Sequence, residues 1–205
     1  FWGFIQDNQQ RIQALTQANV DWYFWDMPYH GRWHEHTKKD YYWRVSRNSV
    51  HYRKTVDYPE DRFKQWGVQP KSYTTGSKIL VCPSSETMTR YITGMDVKMW
   101  VQMITLGLRK YTDRPIEVRH KPRARGTSGP AAAIIPFAEQ AQDAHCVVTC
   151  ISLSALEAQL MGIPTICHPA SFAADISSTS LEEIENPRRV DTQQWFNNLA
   201  YSQFT

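Results

Sequence analysis

Between residues 78 and 167, four short apolar runs alternate with segments of helical periodicity, and no other feature limits the folds open to this chain so strongly. The runs are KILVC at 78–82, PIEVRH at 115–120, CVVT at 146–149 and IPTIC at 163–167. Each is short and carries β-branched residues, and the first is ended by Pro83-Ser84-Ser85, the pattern of buried strands. After the first run, Val97, Trp100, Val101, Ile104 and Leu108 fall on one helical face of residues 96–110. Asp96 suits the start of that helix, and Arg109 and Lys110 suit its negative end. Pro136 opens a helix ahead of the third run, and residues 154–161 form a short one closed by Gly162. Strands and helices alternating at this spacing predict a parallel sheet covered on both faces, with strands at 78–82, 116–120, 146–149 and 164–167.

The rest of the chain is less regular. Most aromatic residues, among them Trp2, Trp22, Tyr23, Phe24, Trp25, Tyr41, Tyr42 and Trp43, precede residue 75, and YTTGS at 73–77 reads as a linker. Two domains are therefore expected, 1–76 and 77–205. In the first, residues 7–17 read as a helix with Ile12 and Leu15 inward, followed by a strand at 20–25. That helix–strand unit is expected of the tail of another α/β domain. In the second, Asp191 begins a last helix with Trp195, Leu199 and Phe204 on its inner side. A start at Phe1 without methionine, and an end inside a helix-like pattern, predict a piece of a longer protein with its N-terminal domain truncated.

A chain of 205 residues, 41% hydrophobic and 21% charged, has the composition of a soluble globular protein. No apolar run approaches the roughly 20 residues of a membrane helix, and no signal-peptide pattern is visible, so a cytoplasmic protein is expected. The net charge of +3 and pI near 8.7 are compatible with a phosphate-bearing ligand. Cys82, Cys146, Cys150 and Cys167 form no C-x-x-C pair and are expected as buried, reduced thiols.

Ligands of open parallel sheets bind at the carboxyl ends of the strands, near helix N-termini. The segment 149–164 leads from a strand into Ser152 and Ser154 and then a helix carrying Glu157. Free N–H groups there can hold a pyrophosphate, and a carboxylate can accept both hydroxyls of a ribose. Ser154-x-x-Glu157 is equally a capping box, which needs no ligand. After the second strand, Arg119, His120 and Lys121, with Arg123 and Arg125, either neutralise a diphosphate or form a solvated basic loop. Ser84 and Ser85 follow the first strand as hydroxyls for a phosphate or sugar, or as turn residues.

In the first part, Asp26 ends a strand and His30 follows it. Either is a candidate base for taking a proton from an acceptor hydroxyl, and Asp26 is equally a turn cap. His34, Glu35 and His36 lack the H-E-x-x-H spacing, and no metal site is expected. Tyr29 and Arg44 are candidate acceptor-binding residues. Arg44 lies in the segment 41–54, where aromatics interleave with cations; such a segment stacks bases or fills a small core.

Ser154, Glu157-Ala158 and Gly162-Ile163-Pro164 together resemble the donor-binding segment of the GT-B glycosyltransferases. The stretch 184–205, with Ile184-Glu185-Asn186-Pro187-Arg188 and Trp195, resembles bacteriophage-encoded glycosyltransferases. The resemblance implies a GT-B-like architecture, with a Rossmann-type donor domain following an acceptor-side domain. It implies a hexosyl- or pentosyltransferase that takes a nucleoside-diphosphate sugar, holds its ribose on Glu157, and needs neither metal nor cofactor. The phage likeness points to a hydroxymethylated DNA base as acceptor, in a host cytoplasm. A cell-surface glycan or lipid is the other acceptor class. A sugar-nucleotide epimerase of the same fold, and a non-catalytic nucleic-acid-binding domain, are the alternatives.

Overall fold

The computed structural model describes residues 1–4, 7–31, 42–119 and 135–204. The chain divides into two compact units, Phe1–Gln69 with Asp191–Thr205, and Pro70–Val190. Unit 1 opens with α1 (Asn8–Gln17), which buries Ile12 and half-buries Leu15. Strands β1 (Tyr23–Asp26) and β2 (Trp43–Arg47) pair antiparallel, with Tyr23 opposite Arg47 and Asp26 opposite Arg44. Phe24, Arg44 and Ser46 point inward, while Tyr23, Trp25 and Arg47 point to solvent. Helix α2 (Asp61–Lys64) buries Phe63.

Unit 2 contains β3 (Lys78–Cys82), α3 (Glu86–Thr93), α4 (Val97–Leu108), β4 (Ile116–Val118), α5 (Phe137–Gln140), β5 (Ala144–Thr149), α6 (Ser154–Leu160) and β6 (Thr165–Cys167). Its four strands form one parallel sheet in the order β4-β3-β5-β6, each within two residues of its predicted place. Alternate strand residues feed two cores. Ile79, Val81, Cys146 and Val148 pack with Trp100, Ile104 and Leu108 of α4. Leu80, Cys82 and Val147 pack with Phe137 and Ala158 of α5 and α6. Asp96 caps α4 as expected, accepting the Met99 N–H at 2.7 Å. Gly162 ends α6 at φ +72°, and a Cβ there would stand 2.1 Å from the Ser72 carbonyl oxygen, so only glycine fits.

The chain then returns to unit 1 with α7 (Gln193–Tyr201) and β7 (Gln203–Phe204). The expected boundary after residue 76 lies past the division at Gln69, and the expected second domain reaching 205 ends at Val190. The cause is packing: Phe196 of α7 stacks on Phe63 with ring centroids 5.0 Å apart, and β7 pairs antiparallel with β2. Phe196 and Leu199 face the core, whereas Trp195 is half-buried and Phe204 is exposed, which corrects the inner side expected for this helix. The three strands β1-β2-β7 pair antiparallel, so the helix–strand start, read as the tail of another α/β domain, leads here into a small antiparallel sheet. A sheet buried on one face only favours that pairing.

Candidate functional site

In unit 2 the chain leaves β3 for β4 on one side and, through α6, leaves β5 for β6 on the other. The crevice outside the carboxyl ends of β3 and β5 is therefore the topological switch point, where open α/β sheets bind ligands. The two loops that meet there are tied together. Thr149 donates its hydroxyl to the Cys82 carbonyl at 2.6 Å, and Ser84 Oγ accepts the Ile151 N–H at 2.9 Å. Ser85 caps α3 through the Met88 N–H. Both serines of the first loop thus have structural partners, and Ser84 is buried.

In the second loop Ser152 Oγ accepts the Ser154 N–H at 3.3 Å and is half-buried. Ser154 is the first helical residue and Leu153 takes the cap position, with no side-chain cap bond. The capping box expected as the alternative role of Ser154 and Glu157 is therefore not formed. The Ser154 hydroxyl is buried beside the Cys82 thiol, and no nitrogen or oxygen among the described residues satisfies it. Burial pushes the Cys82 thiol up to about 12, with Ser154 and Arg119 opposing. Cys82 and the other three cysteines are all buried and unbridged, so they pack as apolar side chains. Glu157 is exposed at the first turn of α6, close enough to the Cys82 thiol at the end of β3 to act on it electrostatically.

Arg119 continues the β ladder through its N–H to the Val81 carbonyl. Its guanidinium donates to the Ile135 carbonyl at 2.7 Å and to Gln140 Oε1 at 2.6 Å, which ties it to the segment leading into α5 and to the last residue of that helix. His120, Lys121 and the rest of that basic loop to residue 134 lie outside the described residues. Beside the switch point, at the ends of β5 and β6, lies a mostly apolar cavity of about 350 Å³. Trp100, Met103, Ile166 and Leu181 line it, with Thr149 and His168 among its polar groups. His168 Nδ1 accepts the Ala170 N–H at 3.1 Å, and desolvation lowers its pKa, so a neutral ring with a donor Nε2–H is present at neutral pH. Thr149 opens the 149–164 segment singled out in the sequence, whereas sequence reading missed His168; its signal was its place just past the end of a strand.

Unit 1 gathers three of its four sequence-chosen residues. Arg44, buried on β2, donates to Asp26 Oδ2 at 2.7 Å and to His51 Nδ1, and stands 5.0 Å over the Tyr29 ring. The Tyr29 hydroxyl accepts the Tyr52 N–H at 2.9 Å. Asp26 also accepts the Met27 N–H, so both of its oxygens are engaged. His51, which sequence reading left within the 41–54 segment, is held well below the usual histidine range by burial and by Arg44 and Arg53. Its neutral ring is what accepts from the guanidinium. His30 is separate: it stacks on Trp66 at 4.8 Å, its N–H bonds Gln203, and desolvation lowers its pKa. Among the described residues no three His, Cys, Asp or Glu side chains could hold a metal ion, and His34, Glu35 and His36 fall outside them. No described helix is long and apolar enough to cross a membrane.

No protein-family model matches the sequence, and no curated protein matches it significantly. Among solved structures, the chain is similar to Thermosulfurimonas dismutans KpsC, a beta Kdo 2,4 transferase, with a TM-score of 0.54. The match covers 97% of this chain and 77% of that one, at 12% identity. The fold is one that a sugar transferase uses. At this identity the likeness concerns the backbone alone: a Rossmann-like parallel sheet in a mixed α/β chain. The sequence resemblance to glycosyltransferases and the structural neighbour thus agree on a Rossmann-like α/β fold, and the neighbour lends no support to a phage relation.

Proposed function

We propose that the protein is a glycosyltransferase that moves a sugar from a nucleotide-sugar donor, expected to be a nucleoside diphosphate, to a hydroxyl acceptor. One observation carries this reading: the switch-point crevice of unit 2 has Ser152, Ser154 and Glu157 at the start of α6, and the Ser154–Glu157 capping box is not formed there. The fold likeness to a Kdo transferase supports it. In this reading Glu157 accepts the ribose hydroxyls and Ser152 meets the phosphates, while the buried Ser154 hydroxyl stays against Cys82 beneath them; Arg119, His120 and Lys121 are the cations assigned to the diphosphate. Ser84 and Ser85 shape the crevice floor through their bonds to Ile151 and Met88. On the acceptor side, His30 is neutral at pH 7 and has the lone pair a general base needs. Asp26, engaged by Arg44 and Met27, orients; Tyr29 and Arg44 make up its surroundings. Metal is not required in this scheme, because helix N–H groups and cations neutralise the diphosphate.

The phage resemblance favours a hydroxymethylated DNA base as acceptor, and the charge-balanced Asp21–Arg47–Asn48 set of unit 1 favours a glycan instead. Incubation with a panel of nucleotide sugars, glycans and hydroxymethylated DNA, read by mass spectrometry, tests the proposal. A hexose or pentose mass added to an acceptor, in the presence of EDTA, is expected. An isomerised nucleotide sugar without transfer would make the protein an epimerase, and no binding of any nucleotide would leave only the fold.

A further inference from the structure

Strands β1, β2 and β7 turn an aromatic row to solvent. Alternation puts Tyr23 and Trp25 of β1 on the outer face, opposite Arg47 and Val45 of β2, and Trp43 of β2 lies opposite Phe204 of β7. Trp2 joins the same face: its backbone forms a parallel β-bridge with Trp25, and its ring centroid lies 4.2 Å from that of Trp43. Tyr23 is 53% exposed, Trp25 41%, Trp2 49% and Phe204 43%. The solvent side of an antiparallel sheet is normally polar, and single exposed apolar residues are common, but four contiguous large aromatics on one face mark a binding surface.

Flat rings of this kind bind two sorts of ligand, the C–H faces of sugars and the π-faces of nucleobases. Charge separates the two. A nucleic-acid surface needs cations free to neutralise phosphates. The outward side chains of these strands include one cation, Arg47, and it is ion-paired with Asp21; Arg62 stands over the far end of the row, 5.8 Å from the Phe204 ring centroid, so the charge-balanced part is the Tyr23–Trp25 end. Asp21 Oδ1 also accepts the Asn48 amide at 2.6 Å. Arg47, Asp21 and Asn48 therefore form a charge-balanced set beside Tyr23 that still offers guanidinium and amide donors together with carboxylate acceptors. Vicinal hydroxyls, each a donor and an acceptor, are matched by such a set. Ring positions two residues apart lie about 6.6 Å from each other along a strand and neighbouring strands about 4.8 Å apart, so the row is wider than one sugar ring.

We propose that this outer sheet face binds an uncharged oligosaccharide, stacked on Trp25 and Tyr23 and hydrogen-bonded by the Asp21–Arg47–Asn48 set. As a sugar-binding surface it stands on unit 1 alone; as the acceptor platform of the enzyme it rests on the transferase reading above.

Titration of the full chain with maltoheptaose, cellohexaose and N-acetylchitohexaose, beside a 15-mer of oligodeoxythymidylate, tests it. At least one neutral oligosaccharide is expected to bind, with an affinity that changes less than twofold between 50 and 300 mM salt. It should shift the indole N–H resonances of Trp2, Trp25 and Trp43 in the intact chain, a readout that needs no variant. Tyr23→Ala with Trp25→Ala should weaken binding at least tenfold, Arg47→Ala severalfold, and Trp25→Phe should restore most of the loss. Binding of a nucleoside diphosphate to the double variant should be unchanged, so that loss of nucleotide binding counts against the transferase reading and not against this surface. Failure of all three oligosaccharides to bind, or binding that leaves the three indoles unshifted, would overturn the proposal. Salt-sensitive binding of the oligodeoxythymidylate that shifts those indoles and is lost in the double variant would overturn it too, and assign the face to nucleic acid.

Discussion

The two units hide apolar side chains with sheets of opposite kinds. All six residues of β5 are buried, because helices cover both faces of the parallel sheet in unit 2. In unit 1, β1 and β2 alternate buried with exposed positions, and one face of the sheet is open. The difference decides where chemistry can sit. A doubly covered sheet offers a ligand only its strand ends, and there the hydroxyls and Glu157 of unit 2 gather. A singly covered sheet offers a whole face, and its buried side can still hold a polar cluster such as Asp26, Arg44, Tyr29 and His51.

The hardest test of this division concerns α7, which follows unit 2 in the chain and packs in unit 1. Phe196 is fully buried against Phe63. Phe196→Ala should cost about 3–5 kcal/mol, as large-to-small changes of buried aromatics do. Hydrogen exchange should show the loss in β1 and β2, while β3 and β5 keep their protection and nucleotide affinity hardly changes. Equal deprotection of both sheets would break the division into units.

A smaller effect is expected at the strand ends of unit 2. If Glu157 accepts two ribose hydroxyls, Glu157→Gln leaves one acceptor and should weaken nucleoside-diphosphate binding by about 1.5–3 kcal/mol. Because no capping box is formed, the melting point should not move. Calorimetric titration beside a melting curve reads both. Unchanged affinity with a lowered melting point would return Glu157 to a structural role.

Sequence alone made unit 2 legible and unit 1 only in part, for reasons that lie in these same sheets. Ile79–Cys82 and Cys146–Val148 are apolar at consecutive positions because both faces are covered, and Gly162, Asp96 and Pro136 punctuate the runs. In unit 1, Tyr23 and Trp25 are as apolar as the buried Phe24, so the aromatic outer face masks the alternation that would mark an antiparallel strand. The last helix was recognised, yet its unit and its inner residue depend on Phe63, far away in sequence. The cluster around Arg44 was legible as three residue types; His51 became visible as a member only where β2 brought the ring to the guanidinium. Arg119 was chosen for its charge, and its bonds to Ile135 and Gln140 could not be foreseen from a strand end.

Acid should separate the units further. His51 is kept neutral in the folded chain, first by burial and then by Arg44 and Arg53, while the unfolded chain protonates it below about pH 6.5. Its contribution is therefore present above pH 6.5 and is lost as pH falls from there toward the depressed folded value. One such proton changes stability by about 1.4 kcal/mol per pH unit. His30 in unit 1, and His145 and His168 in unit 2, are shifted the same way by desolvation, but less far. Denaturant midpoints between pH 7 and 5 should fall more steeply for unit 1. His51→Gln, which keeps an acceptor for Arg44, should flatten that slope. An unchanged slope in the variant would mean that His51 is charged in the folded protein.

The smallest effect compares two aspartates that precede helices. Asp96 in unit 2 has extended backbone angles, and its carboxylate accepts the Met99 N–H at 2.7 Å, one of the donors that a helix start leaves unsatisfied. Asp7 in unit 1 precedes α1 in sequence just as plainly, yet makes no cap bond and pairs instead with Arg11 one turn on, in solvent. Exposed pairs of that kind contribute little, and less as salt rises. Asp96→Ala should therefore cost about 1 kcal/mol, whereas Asp7→Ala should change stability by no more than a few tenths. The two substitutions are alike in chemistry, so the difference between their denaturation midpoints isolates the cap. It should persist in high salt, because a cap bond is short and local while the Asp7–Arg11 pair is screened. Equal losses at both sites would mean that α1 draws on a cap in solution, and would narrow the contrast between a unit punctuated by its sequence and one assembled by distant packing.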